Sequence, residues 1–255
     1  MAPLGAGKSK YVLVALIGAL LACDAPGDSV KPTVQQKTHE KPSTVAADAA
    51  RAQFDFYLLA MTVHSAFCAD GHERKAECRA RGQRPLVIHG LWPENLEPRT
   101  YPHDCPAPAL SLDPMLEQQL GELMPGVADH LHEHEWREHG GCSGLDDDDY
   151  YQHTLELARA VDAALAARLT TLAGRETNAT ELRETAEMFR PGIGVSLTFH
   201  CRTLRGSGNV PALFEVRQCV DNDGPGGAPG TLLDCATVQR RDQGCGRSFL
   251  IAERR

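Results

Sequence analysis

The chain has 255 residues, 42% of them hydrophobic and 24% charged, which is enough for one sizeable core and unlike any disordered or fibrous class. Its formal net charge of −8 excludes the global basic field by which many nucleic-acid binders draw in a polyanion, so any RNA or DNA must be captured locally.

In chain order, Lys8 and Lys10 precede an apolar run from Tyr11 to Ala22 that is too short for a comfortable membrane span and has the layout of an export signal. The run ends at Cys23 in "LLAC", which resembles a bacterial lipobox: residues 1–22 would be removed and Cys23 lipidated. An ordinary secretory signal or an uncleaved anchor are the alternatives, and all three export the chain. Residues 23–50 are rich in Pro, Lys, Thr and Ala with little apolar periodicity and are expected to be a flexible tether. The folded domain is expected over 51–255, beginning in earnest near Phe54.

Phe54 to Val63 has the apolar density of a strand buried on both faces. The runs beginning at Gly194 and Ala212 alternate as half-buried strands do, and "SFLIA" near the end is a fourth apolar run. Helical patterns cover Asp113 to Leu123, Tyr150 to Leu172 (with Leu155, Ala158, Val161, Asp162 and Leu165 on one stripe) and Thr180 to Phe189, the last stopped by Pro191 and Gly192. This mixture lacks strict strand–helix alternation and predicts an α+β fold with a mainly antiparallel sheet flanked by helices. Asp146 to Asp149 read as an acidic loop leading into a helix N-terminus, with a cation site as the alternative.

Export makes the cysteines informative, because thiols outside the cytosol are normally paired. Setting Cys23 aside leaves eight of nine: Cys68, Cys78, Cys105, Cys142, Cys201, Cys219, Cys235 and Cys245. An even number suits a fully bridged domain, and eight cysteines permit about 105 connectivities. No CxxC spacing supports zinc.

Two stretches carry chemistry. "VIHGLWPEN", Val87 to Asn95, places His89 and Trp92 in a Gly/Pro-punctuated segment, and "HLHEHEWREHGGC", His130 to Cys142, interleaves four of the eleven histidines with three glutamates. His130 and His134 stand at i, i+4 and could share a metal, but HExxH is absent, and a solvated polar helix ending at Gly140 and Gly141 is the plainer reading of His130 and His132. For His139 the sequence favours a functional role, since Cys142 would pin the backbone beside it. Two imidazoles from separate segments suit a metal-free proton transfer near neutral pH.

"HGLWPE" at His89 to Glu94 and "HEWREHGGC" at His134 to Cys142 resemble the two active-site segments of the T2 family of secreted, acid-tolerant ribonucleases, usually written HGLWP and HEWxKHGTC. "FDFYLLAMTVHSAFC" and "LFEVRQC" resemble the family's opening strand and its LxEVxxC strand. The resemblance therefore runs from Phe54 to the end. It implies metal-free cleavage of single-stranded RNA, without cofactor, by transphosphorylation to a 2′,3′-cyclic phosphate. His139 would take the 2′-proton and His89 would protonate the leaving 5′-oxygen, with His134 and Glu135 beside the phosphate. The substrate side would use Trp92 as a stacking platform, Glu94 and Tyr101 at the base, and Arg137 near the phosphate. DNA, lacking the 2′-hydroxyl, would not be cut. By the same resemblance Cys68 pairs with Cys78, Cys105 with Cys142, Cys201 with Cys245 and Cys219 with Cys235. The expectation is a monomeric lipoprotein facing the periplasm or exterior, touching the membrane only through its anchor.

Four positions depart from the family pattern. Glu138 replaces a phosphate-facing lysine, Gly141 a threonine, Val63 a tryptophan and Ser65 a proline. Glu138 motivates a rival reading, a catalytically impaired relative that binds RNA. A second rival is a metal-binding lipoprotein using His130, His132 and His134.

Overall fold

The computed structural model describes residues 53–80, 84–97, 100–205, 208–238 and 240–253. The expected leader (1–22), Cys23 and the tether to residue 50 lie outside them. Among the described residues no helix is long and apolar enough to cross a membrane.

The fold is α+β. One sheet holds β1 (Phe56–Val63), β2 (Leu86–Glu94), β3 (Glu176–Thr177), β4 (Leu197–Thr203), β5 (Pro211–Asp221) and β6 (Phe249–Leu250). Its order is β2-β1-β5-β6-β3, with β4 also paired to β5. All pairings are antiparallel except the single Ala212–Leu250 contact of β5 with β6. Four helices of two turns or more are α1 (Pro114–Leu123), α2 (Leu131–Glu138), α3 (Asp147–Thr171) and α4 (Ala179–Phe189).

Helix starts are set by side chains that accept otherwise orphaned N–H groups. Asp113 accepts from Met115 and Leu116 at α1, Asp146 from Asp149 at α3, and Asn178 from Glu181 at α4. Helix α3 begins three residues before Tyr150, because Asp147, Asp148 and Asp149 form its first turn, where negative charge is favourable. Asp147 and Asp148 also accept from the backbone N–H of Ser111 and Asp113 at 2.6 and 2.8 Å, tying the lead into α1 to the start of α3. The acidic run is thereby absorbed as a helix N-terminus that braces a loop.

Strand β1 is buried along its whole length, with its side chains alternating between two covered faces. Tyr57, Leu59, Met61 and Val63 join Leu86, Ile88 and Leu91 of β2 in the main core, which includes Leu155, Ala158, Val161 and Leu165 of α3. Phe56 and Leu58 join Cys219, Cys235 and Val238 in a second, smaller cluster, against which Trp92 packs. The second cluster needs a cover that sequence periodicity does not announce. The cover is the irregular segment after β5, held by disulfides.

Four bridges form: Cys68–Cys78, Cys105–Cys142, Cys201–Cys245 and Cys219–Cys235. These are the pairings the family resemblance implied. Among the departures, Val63 is buried in the main core, and the Ser65 hydroxyl donates to the Ala252 carbonyl at 2.8 Å. At Gly141 a Cβ would lie 2.7 Å from the Ala107 Cβ and 3.0 Å from the Cys105 carbonyl, so this chain packs the loop of the 105–142 bridge where a larger residue would stand.

The Cys105–Cys142 bridge closes 37 residues. Removing it as Cys105→Ala with Cys142→Ala is expected to cost about 4 kcal/mol of stability. Denaturant unfolding under non-reducing conditions checks this; an unchanged midpoint would refute it.

Candidate active site

Strand β2 lies at one end of the sheet, and its register with β1 slips once. Gly90 faces Ala60 and Ile88 faces Met61, which leaves His89 as an extra residue on β2. Such a β-bulge re-aims a side chain. Here it turns His89 toward β5, two strands away, where its Nδ1 lies 2.9 Å from Oε1 of Glu215. The His89 Nε2 is 3.8 Å from Oε1 of Glu135 on α2.

Helix α2 runs beside this strand and is bounded by two special residues. His130 precedes it in the left-handed region, at φ 63°, and His139 ends it. The His139 N–H donates to the Glu135 carbonyl, and the His139 carbonyl accepts from Cys142, so its backbone is clamped between helix and disulfide. Its ring stands 5.5 Å from the Trp92 ring, and Trp92 stands 5.1 Å from His89. The two imidazoles thus lie against one indole.

Trp92 is itself anchored. Its Nε1–H donates to Oε2 of Glu135 at 2.8 Å, and the Arg217 guanidinium lies 5.5 Å from its ring. Glu135 is almost fully buried. Gly90 makes this possible: a Cβ there would collide with the Glu135 carboxylate and lie 2.6 Å from the Trp92 Nε1.

The environments of the two imidazoles differ in sign. Burial opposes a proton on His89, but the hydrogen bond to Glu215 and the charges of Glu135 and Glu215 outweigh it, so its pKa is raised. His139 is lowered to about 4 by burial first, then by the nearby His134, His89 and His103. Its buried Nδ1 has no hydrogen-bond partner. Burial also raises Glu135, against the charge of His89 and the hydrogen bond from Trp92.

The remaining residues singled out by sequence are close by but engaged. Glu94 accepts from Arg240 at 2.7 Å, with both side chains largely buried, and burial raises its pKa. Tyr101 is exposed, its ring 6.3 Å from that of His139. Arg137 donates to Nδ1 of His134 at 3.0 Å and sits 3.6 Å from Oε1 of Glu138. His130 pairs with Glu133, and buried His132 lies 3.8 Å from Glu117, so His130, His132 and His134 turn to different neighbours. Among the described residues, the one trio near enough to share an ion is His64, Cys68 and Cys78, whose two sulfurs already form a disulfide. A cleft of about 570 Å³ opens beside His89, lined by Glu215, His134, Phe67, Arg202 and Phe214 among others.

Glu215, Arg217, His200 and Arg240 were not singled out from sequence. Arg217 donates to Oε2 of Glu215 from both Nε and Nη2, at 2.8 and 2.5 Å, and from Nη2 to Nδ1 of His200 at 3.2 Å. The signal was present in "LFEVRQC": Glu and Arg at i, i+2 read as the wet face of a half-buried strand. That face is covered, leaving Glu215 at 1% exposure.

Comparison with known proteins follows the same outline. A family model described as "Ribonuclease T2 family" matches residues 54–228. The curated "Ribonuclease" of Aeromonas hydrophila is 36% identical over 115 residues, 45% of this chain and 50% of that protein. "Ribonuclease 1" of Arabidopsis thaliana is 27% identical over 212 residues, 76% of this chain and 85% of that protein. The solved structure of ribonuclease MC1 from the seeds of bitter gourd superimposes with a TM-score of 0.60 at 24% identity, covering 77% of this chain and 100% of that one. A mutant of RNase MC1 solved in complex with 5′-UMP matches at 25% identity and a TM-score of 0.61, over 78% of this chain and 99% of that chain.

Replacing Gly90 with alanine is expected to break the Trp92–Glu135 hydrogen bond and cost roughly 1–3 kcal/mol through overpacking. In NMR spectra the Trp92 indole N–H resonance should move while that of Trp136, bonded to the Pro108 carbonyl, stays in place; an unmoved Trp92 signal would refute the packing.

Proposed function

Because this chain belongs to the ribonuclease T2 family, we propose that it is a metal-independent endoribonuclease cutting single-stranded RNA by transphosphorylation. The observation that carries the reading is the pair of imidazoles set against Trp92, one biased to keep its proton and the other to lack it.

In that reaction neutral His139 removes the 2′-hydroxyl proton and the 2′-oxygen attacks phosphorus. The bond to the 5′-oxygen breaks, and that oxygen leaves with the proton of His89. The products are a 2′,3′-cyclic phosphate and a free 5′-hydroxyl. An acid and a base set against one ring need their pKa values pushed apart, and here carboxylates outweigh burial at His89 while neighbouring imidazoles reinforce it at His139. Glu135, whose pKa is raised by burial, lies against Trp92 and His89 beside the phosphate position. His134, capped by Arg137, offers a further donor on the same helix.

For the base, we assign Trp92 as the stacking surface, with Tyr101 beyond His139 and Glu94, held by Arg240, as the group that reads base edges. Stacking would contribute about 1–3 kcal/mol. The complex of an RNase MC1 mutant with 5′-UMP supports nucleotide binding by this fold. DNA is excluded as a substrate because it lacks the attacking hydroxyl. Export, and anchoring through lipid on Cys23, complete the reading on the strength of the leader sequence.

The test is RNA cleavage with EDTA present, with product termini analysed. Cyclic phosphates should form undiminished by chelator, and His89→Ala and His139→Ala should each lower kcat/KM by about 10²–10⁴-fold. Activity should rise through pH about 4 as His139 loses its proton, and fall above pH 6.5 as His89 loses its own. Nucleotide binding without turnover by the intact disulfide-bonded protein would favour the impaired relative suggested by Glu138; chelator sensitivity would favour the metal reading.

A further inference from the structure

Glu215 is a carboxylate that the reaction above does not use, buried in the floor of the cleft. It lies on β5 opposite Thr62 of β1 and His200 of β4. The β4–β5 register slips beside it, where His200 faces Glu215, Cys201 faces Leu213 and Phe214 is skipped. Two bulges, at His89 and Phe214, therefore flank a hydrogen bond that reaches from β2 across β1 to β5.

The two oxygens of this carboxylate have separate tasks. Oε1 accepts from Nδ1 of His89, and Oε2 accepts twice from the Arg217 fork. An isolated buried carboxylate is costly, and breaking such a group's pairing by removing one partner typically costs several kcal/mol. The arginine makes the anion tolerable, and the anion then faces the imidazole with a fixed charge. Burial works against the charge of Glu215, yet His200, His89 and Arg217 more than offset it and hold the carboxyl far below the usual range.

We propose that Glu215, held by Arg217, is the positioning residue for His89: it binds Nδ1–H and so presents Nε2 to the leaving 5′-oxygen. This rests on His89 acting as the acid. After the proton leaves from Nε2, the neutral ring keeps its Nδ1–H against Glu215. The imidazole neither rotates nor changes tautomer during the transfer, and the proton returns to the same nitrogen for the next cycle. The charged and titratable groups facing His89 are Glu215 and Arg217 from β5 and Glu135 and His139 from α2 and its end, with His200 of β4 behind Glu215. Glu135 approaches Nε2 and not Nδ1, so the two carboxylates are not interchangeable.

The experiment combines nitrogen-15 NMR of His89 in the protein with RNA cleavage by Glu215→Gln and Arg217→Met. In the wild-type protein at high pH the neutral His89 should be the Nδ1–H tautomer; the Nε2–H tautomer would overturn the proposal, whether or not the protein cuts RNA. Glu215→Gln should lower kcat about 10- to 100-fold with KM within about twofold, and move the falling limb of the pH profile to lower pH. Arg217→Met, which removes a cation that opposes protonation of His89, should move that limb upward. In a His89→Ala background, Glu215→Gln should cause no further loss. A falling limb that stays in place in both variants, or an equal loss without His89, would show that Glu215 serves packing alone.

Discussion

A hydrogen bond from the Trp92 indole to the Glu135 carboxylate joins the two parts of the site, one carried by β2 and the other by α2. A hydrogen bond to a charged group contributes about 1.5–3 kcal/mol, while a buried carboxylate left without its partner costs at least as much. Neither part is therefore comfortable alone. The bond forms only because Gly90 leaves room for the carboxylate, and because the end of α2 is fixed against the loop by Cys105–Cys142. Once it is made, His89 and His139 are both placed by contact with the same ring.

That shared ring makes the difference between the two imidazoles instructive. Both are partly buried, and burial by itself lowers the pKa of each. His89 escapes because two carboxylates face it, whereas His139 meets mainly other imidazoles. Environment, and not residue type, sets the two imidazoles apart. The same logic separates the acids: Glu215, gripped by Arg217, is held far below the usual carboxylate range, whereas burial outweighs His89, Trp92 and His134 at Glu135 and raises its pKa.

How much of this was legible depended on whether a residue's role left a periodic trace. Strand β1 and helix α3 announced themselves by apolar density and by a 3.6-residue stripe, and the start of α3 by its acidic run. Strand β2 did not, because its Gly and Pro punctuate the pattern and its bulge breaks the period of two at His89. The roles proposed for His89 and His139 came from motif resemblance. Glu215 and Arg217 were hidden by correct alternation: a polar residue at every second position signals a face distinct from the core without saying what covers it. The cover is an aperiodic segment held by Cys201–Cys245 and Cys219–Cys235, and it also delivers Arg240 to Glu94.

A chain of net charge −8 that acts on a polyanion must find positive charge somewhere. Its arginines do not supply it freely. Arg217 is engaged by Glu215, Arg240 by Glu94, and Arg137 by His134 with Glu138 beside it. In the cleft next to His89, Lys75 is paired with Asp129 and Arg202 stands 4.0 Å from Asp70. Beside the site the named arginines are thus engaged, and His89, whose pKa is raised by its carboxylate neighbours, is the group there that gains positive charge as the pH falls. Substitution of lysine by Glu138 moves the balance further in that direction, since it places an anion beside the cation on this helix. In the proposed reaction protonation of His89 then serves two purposes at once: it adds positive charge where a phosphate is to be held, and it loads the acid, so binding and chemistry draw on the same titration.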